Sequence, residues 1–381
     1  MPQQAPTGMT PAPPKRPARD VRMDVLRGWL QISIFISHVH GTVFLWGIHA
    51  AWGISDSSEQ FVLLSGLALG SVFTLKRARD GFRAAAADLV GRIRRLYLTH
   101  LVVFVMFAAM VFWVQMRVPL PGLVQETGWA WLAQDPLRAV PATLALLYRP
   151  VFMDILPLFL FCMVLLAPFL WLLDRFGDRA LLAPIGLYVA AQVLGLEPPI
   201  LASTHATFDP FAWQLLFLGG AWVGRRALLG GAPLPRHPAL FAAAAAVLAV
   251  GVWVKLGHHG WLAPIPDFVE ALGDKGGLAP LRLAHALALA WLVAVLVPRD
   301  APWMHGLVPR VLAVVGQHSL HVFCLGLFLS WGASLSLVLF PARAWWLELV
   351  LVPAGILVLA AFAALLESRR APARSRRRVT P

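Results

Sequence analysis

Four polar side chains stand in or beside apolar sequence between Asp24 and Gly70: Arg27, His38, Asp56 and Glu59. A charge near the centre of a bilayer costs about 2.5–3.5 kcal/mol even on the lenient insertion scales, so such residues persist where they meet a partner or line a cavity. Arg27 and His38 are eleven residues apart. On a helix that separation leaves them about 20° from eclipsed and about 16 Å apart along the axis, so they share one face. Asp24, Gln31 and Thr42 fall near the same stripe. The first helix therefore offers a polar seam running from the cytoplasmic edge to mid-bilayer. A histidine placed there exchanges a proton near neutral pH, which suits a general base that strips a hydroxyl for attack on a thioester. The plainer alternative is a packing hydrogen bond to a neighbouring helix. His40 lies on another side of the helix and reads as structural.

Asp56 and Glu59 are three residues apart at the entry to the second helix, a spacing that lets both face one way. Either is placed to orient His38 or to bind an acceptor; the competing reading is ordinary helix capping by an acidic first turn. Ser65, Gly66 and Gly70 follow in phase and permit close helix approach. The segment KRARDGFRAAAADLVGRIRR then gathers Lys76, Arg77, Arg79, Arg83, Arg92, Arg94 and Arg95. It is suited to the phosphates of a nucleotide-bearing donor such as coenzyme A, and equally to setting orientation and contacting anionic lipid. Asp154, at the outer end of the fourth apolar run, is placed to bind sugar hydroxyls or to pair with Arg149. His318 and His321 share a helix face and read as pore-lining or packing groups. Without a third ligand or an HExxH pattern they make a poor metal site. Cys162 and Cys324 sit within apolar runs as small hydrophobes.

The elements that position these groups follow from composition. The chain has 381 residues, 59% hydrophobic and 13% charged, with mean hydropathy +0.71, against about 25% charged for a soluble domain. Its 30 Gly and 30 Pro suit kinked helices, and no two-residue alternation marks a barrel. An all-α polytopic transmembrane bundle is predicted over residues 24–366, between a disordered basic tail at 1–23 and a basic tail at 367–381. Ten spans are expected, near 26–46, 60–75, 97–116, 152–173, 180–196, 210–229, 239–256, 281–298, 311–340 and 344–366. The second is short as drawn and is expected to begin earlier, within SDSSE. The first run has no cleavage site after it and reads as a signal anchor. With the N-terminus inside, 25 of the 32 Lys and Arg residues fall on the cytoplasmic side, which places both termini there. Membrane topology thus accounts for the net charge of +13 without nucleic acid. The non-cytoplasmic connections at 117–151, 197–209 and 257–280 are rich in Trp, Pro, Gly and His, as in Ser203-Thr204-His205 and Leu256 to Trp261. They suit sugar held against aromatic faces, or the aromatic belt of a membrane interface.

The blocks RMDVLRGWL, SHVHG, GISDSSEQFVLLSG, FMDILPLFLF, DPFAWQLLFLGG, GDKGGLAPLRLAHALALA and VGQHSLHVFCLGLFLS, in that order, resemble the membrane proteins of the OpgC family. The likeness covers about residues 19–366. That family is associated with succinylation of osmoregulated periplasmic glucans and belongs with the integral-membrane acyltransferases. Three marks of that superfamily have counterparts here: Arg27 with His38, the run Phe61 to Gly66 ending in Ser-Gly, and Arg92, Arg94 and Arg95 before the third helix. Relatives often carry an acid just before the histidine and Pro-Gly-Asn after it, where this chain has Ser37 and His40-Gly41-Thr42. Another group, Glu59 by this reading, must then orient the imidazole.

The resemblance implies a bacterial inner-membrane O-acyltransferase. Cytoplasmic acyl-CoA, succinyl-CoA by the resemblance, is the co-substrate, and no cofactor is bound permanently. Arg27, Arg77, Arg92, Arg94 and Arg95 hold the donor, His38 acts with Asp56 or Glu59, and Asp154 meets a periplasmic glucan acceptor. No metal is called for, and the oligomeric state stays open. A transporter or export channel using the same polar seam, or an inactive homologue that binds polysaccharide, are the alternatives.

Overall fold

A computed structural model describes residues 20–118, 120, 122–202, 207–231, 234–299 and 301–379, with side chains as far as 370. The Ser203-Thr204-His205 stretch lies outside the described residues. Helix α1 spans Val21–Ser37, capped by Asp20, whose carboxylate accepts from the Arg22 N–H at 3.1 Å. Helix α2 (Ser57–Asp80) is followed directly by α3 (Phe82–Arg117), with Gly81 at φ 84° forming the turn. Short helices α4 (Leu123–Glu126), α5 (Ala130–Gln134) and α6 (Pro136–Leu144) lead to α7 (Ile155–Phe176) and α8 (Leu182–Leu194). The chain continues through α9 (Pro210–Leu228), α10 (Pro238–His258), α11 (Asp267–Leu272) and α12 (Pro280–Leu296). It ends with α13 (Leu307–Gln317), α14 (Ser319–Leu339) and α15 (Ala344–Val379).

Among the described residues five helical stretches are long and apolar enough to cross a membrane: Ser57–Arg117, Ile155–Leu194, Pro238–His258, Ser319–Leu339 and Pro341–Arg370. The helices Pro280–Leu296 and Leu307–Gln317 are apolar but shorter. The chain is therefore a multi-pass membrane protein with an all-α fold.

Three expectations change. The first span does not run from 26 to 46 as one helix, because α1 stops at Ser37 and Gly41 turns the chain at φ 73°. Thr42 then caps a 3₁₀ turn at Val43–Gly47, and a second follows at His49–Ala51. Nor is 311–340 one helix, since it breaks at His318 between α13 and α14. The basic stretch from Arg77 to Arg95, left between the expected spans 60–75 and 97–116, is itself helical and forms the end of α2 and the start of α3. The expected earlier start of the second span is correct: Asp56 and Glu59 form a reciprocal capping box that begins α2 at Ser57.

Small residues set the closest helix contacts. Gly66 and Gly70 of α2 press on the backbone of Phe217 and Ala221 in α9, and Gly220 and Gly224 of α9 press back on Leu63 and Leu67. A Cβ at Gly66 would run into the Phe217 carbonyl, which is why this pair tolerates only glycine there. Gly28 of α1 and Gly316 of α13 mesh in the same way. Apolar side chains of α3, α7 and α9 build the larger core around Phe107, Trp213 and Leu166. A second core joins α1, α13, α14 and α15 around Phe35, Val315 and Leu359.

Candidate active site

His38 is the first residue past α1, where the helix leaves its last carbonyls without intrahelical donors. Its Nδ1 lies 2.7 Å from the Ile34 carbonyl oxygen. A carbonyl only accepts, so Nδ1 carries the hydrogen and the neutral ring keeps its lone pair on Nε2. The ring packs on Phe152 at 5.1 Å between centroids. Gln31, Phe35, Val322 and Ser330 line a small cavity beside it. Lys275, Asp154 and Asp56 all lie within electrostatic range of the imidazole. Asp154 caps the start of α7 without a side-chain hydrogen bond to the backbone. Three of the predicted residues, His38, Asp56 and Asp154, are thus brought to one neighbourhood from three separate parts of the chain.

Asp56 and Glu59 are held by cations the sequence reading assigned no role. Lys275 Nζ sits 2.7 Å from Asp56 Oδ2, and Arg282 Nη1 sits 2.7 Å from Glu59 Oε1 and 4.0 Å from Asp56. Glu59 Oε2 accepts from the Asp56 N–H at 2.8 Å, and Arg282 Nε donates to the Gly273 carbonyl at 2.9 Å. The two acids differ in surroundings. Glu59 is 0% exposed, whereas Asp56 keeps 26% and Lys275 35% of its side-chain surface open. Burial works against the Asp56 charge, but Lys275 and the Ser58 hydroxyl outweigh it and hold the carboxyl well below the usual carboxylate range. Lys275 is shifted upward: burial opposes its charge and the Asp56 carboxylate more than compensates. The orienting hydrogen bond on His38 comes from Ile34 and not from Glu59, which is engaged with Arg282 and the Asp56 backbone.

The segment that supplies both cations is itself fixed from below. Trp213 Nε1 donates to the Gly276 carbonyl at 3.0 Å, Tyr188 Oη to Leu278 at 3.0 Å, and the Asp209 N–H to Gly276 at 2.9 Å. On the following helix the His285 Nδ1 accepts from the Ser55 hydroxyl at 2.7 Å and from the Ser55 N–H at 3.4 Å. Its ring occupies space left by Gly53 and Gly251, where a Cβ would collide with it. The 38–56 connection is therefore clamped to α10 and α12. Lys275, Arg282 and His285 all fall within the GDKGGLAPLRLAH block. Two acids beside a span imply cationic partners, and this was the available signal; which cations answer it is set by the fold.

The predicted donor-binding arginines separate. Arg27 donates to the Leu64 carbonyl of α2 at 3.4 Å. Arg77 pairs with Asp174 of α7, which also accepts from Arg225 of α9 at 2.9 Å. Arg92 bonds Asp88 one turn back at 2.8 Å. Arg94 and Arg95 are exposed on α3 and make no ion pair among the described residues. His318, one of the two histidines expected to line a pore or pack, bonds Glu367 of α15 at 3.0 Å. Among the described residues no three His, Cys, Asp or Glu side chains gather as a metal site would need. Arg77, Asp174 and Arg225 thus form one charged cluster, and Asp56 with Lys275 belongs to another.

A family model described as OpgC protein matches residues 19–371. No curated protein and no solved structure gives a match.

Proposed function

The chain belongs to the OpgC family, and from that membership and the chemistry around His38 we propose a bacterial inner-membrane O-acyltransferase that moves succinyl from cytoplasmic succinyl-CoA to a periplasmic glucan hydroxyl. Membership itself implies a role connected with glucan succinylation. The proposed topology has ten crossings and both termini in the cytoplasm, so that donor and acceptor approach His38 from opposite sides. His38 takes the acceptor hydroxyl proton on Nε2 as the oxygen attacks the thioester carbonyl. The carbon–sulfur bond then breaks, and the CoA sulfur leaves with the proton that Nε2 gives up, which restores the neutral imidazole. The Nδ1–H to Ile34 hydrogen bond is the observation that carries this role, because it keeps the basic nitrogen free and fixes the ring. Asp56 and Asp154 are the acids of the same neighbourhood, placed to meet the acceptor. Arg94 and Arg95, exposed on α3, give the donor phosphates a basic approach, while Arg27, Arg77 and Arg92 are engaged with Leu64, Asp174 and Asp88.

The test compares glycan acyl content by mass spectrometry in a strain lacking the gene, complemented with the native chain or with His38→Ala at equal abundance. A succinyl-sized increment present only with the native chain supports the assignment. Unchanged acylation in all three strains, with a shift of glycan across the membrane, would replace it with transport.

A further inference from the structure

On the side of the protein where Asp56 meets Lys275, four aromatic rings from two separate connections gather. Trp46 stacks on Trp261 at 5.0 Å with the planes 10° apart, and meets Trp52 at 5.5 Å and His259 at 4.9 Å. The Trp52 indole N–H donates to the Trp46 carbonyl at 2.9 Å, which locks the ring to the backbone. The outer rings stay open, Trp261 at 63% and Trp52 at 47% exposure. Across the turn that carries His258 and His259 lies a cleft of ≈ 340 Å³. Lys255, His258, Glu270, Asp274 and Arg282 supply its polar lining. Arg282 is also the residue that pairs with Glu59, so this cleft opens beside the network that reaches toward His38.

We propose that the Trp46–Trp52–Trp261 platform and the adjoining cleft bind the acceptor glucan and feed it toward His38, an inference that rests on the acceptor class proposed above. A pyranose ring has one chemistry on its faces and another on its rim. Its faces present C–H groups that lie well on an aromatic plane, and its rim presents hydroxyls that need both donors and acceptors. The platform supplies rigid aromatic faces and the cleft supplies carboxylates, an ammonium and a guanidinium within one site. An aromatic belt facing lipid headgroups needs neither the stacked cluster nor a mixed-charge cleft behind it. Trp261 and Trp52 keep open surface on either side of Trp46, which suits more than one sugar of a chain, so affinity rises with oligomer length.

The full chain in lipid nanodiscs is titrated with glucose and with glucose oligomers of two to eight units, with binding read by calorimetry. Acyl transfer is measured separately on the same preparations. Trp261→Ala is expected to weaken oligomer binding roughly tenfold, while Trp261→Phe stays within about threefold because it keeps an aromatic face. Trp303→Ala, removing an exposed indole outside the platform, is expected to bind as the native chain does. Acceptor KM rises for Trp261→Ala with donor KM unchanged. The proposal is overturned if the native chain binds no oligomer, or if Trp261→Ala binds oligomer as well as the native chain. It is also overturned if brominated lipid quenches Trp261 fluorescence while oligomer leaves it unmoved. Native protein that binds oligomer through Trp261 but transfers no acyl group would keep the platform and remove the acyltransferase reading.

Discussion

Replacing Arg282 with Met separates the buried half of the acidic cluster from the open half. Arg282 and Glu59 are 12% and 0% exposed at a 2.7 Å contact, so the substitution leaves a buried carboxylate without the cation that touches it and with almost no water. Removing one partner of such a pair costs about 3–5 kcal/mol, most of it the uncompensated charge left behind. The lost hydrogen bond to the Gly273 carbonyl adds about 1 kcal/mol. Lys275→Met acts on a pair whose members keep 35% and 26% of their surface, where screening holds the loss to about 1 kcal/mol. The order of the two single variants is therefore fixed by burial, although both contacts have the same length. Denaturant titration of the purified chain in detergent reads the difference, and Glu59→Gln in the Arg282→Met background should recover about 2 kcal/mol or more by removing the stranded charge. If Arg282→Met loses no more than Lys275→Met, or if Glu59→Gln rescues nothing, the electrostatic account of this cluster is wrong.

Four further outcomes follow from the same structure. Gly66→Val places a branched side chain against the Phe217 carbonyl and should cost more than about 3 kcal/mol or prevent folding, read as loss of the monodisperse peak on size exclusion. Arg94→Ala with Arg95→Ala removes exposed groups that pair with nothing among the described residues; stability should hold within about 0.5 kcal/mol, while the KM for acyl-CoA rises severalfold. Arg77→Ala, in contrast, strips a cation from Asp174 and lowers stability. The Asp56 carboxyl is held below its ordinary value, so the stabilisation it gives is complete above the unfolded pKa of about 3.9 and is lost only as pH falls through the folded value. Hydrogen exchange of residues 38–56 should therefore reveal no opening attributable to this pair between about pH 5 and 8, and opening only in stronger acid.

Several features of the site were legible in local sequence because their causes are local. Hydropathy over 20-residue windows marked an all-α membrane protein. The Asp56–Glu59 spacing marked a helix start, and the structure has the capping box that spacing allows. Gly66 and Gly70 marked a close helix contact without naming the partner, which is α9. The polar seam led to His38, and the order of the sequence blocks led to the family. The end of α1 was misplaced because apolar residues continue from Val43 to Ile48 and hydropathy alone does not register the turn at Gly41.

What the sequence determined by itself is the solvent, the helical class, the family and the short list of ionisable residues that a bilayer would not tolerate unpaired. What the tertiary structure decided is who pairs with whom. Lys275 is 219 residues from Asp56, and Arg282 is 223 from Glu59, so no local pattern connects them. The same holds for the neighbours of His38: its orienting carbonyl is one turn away, but Phe152 meets it, and the charges of Asp154 and Lys275 act on it, only through packing. Hydropathy and capping depend on a residue and its near neighbours, whereas a buried charge selects its partner by proximity in three dimensions, and that proximity exists only once the helices have packed.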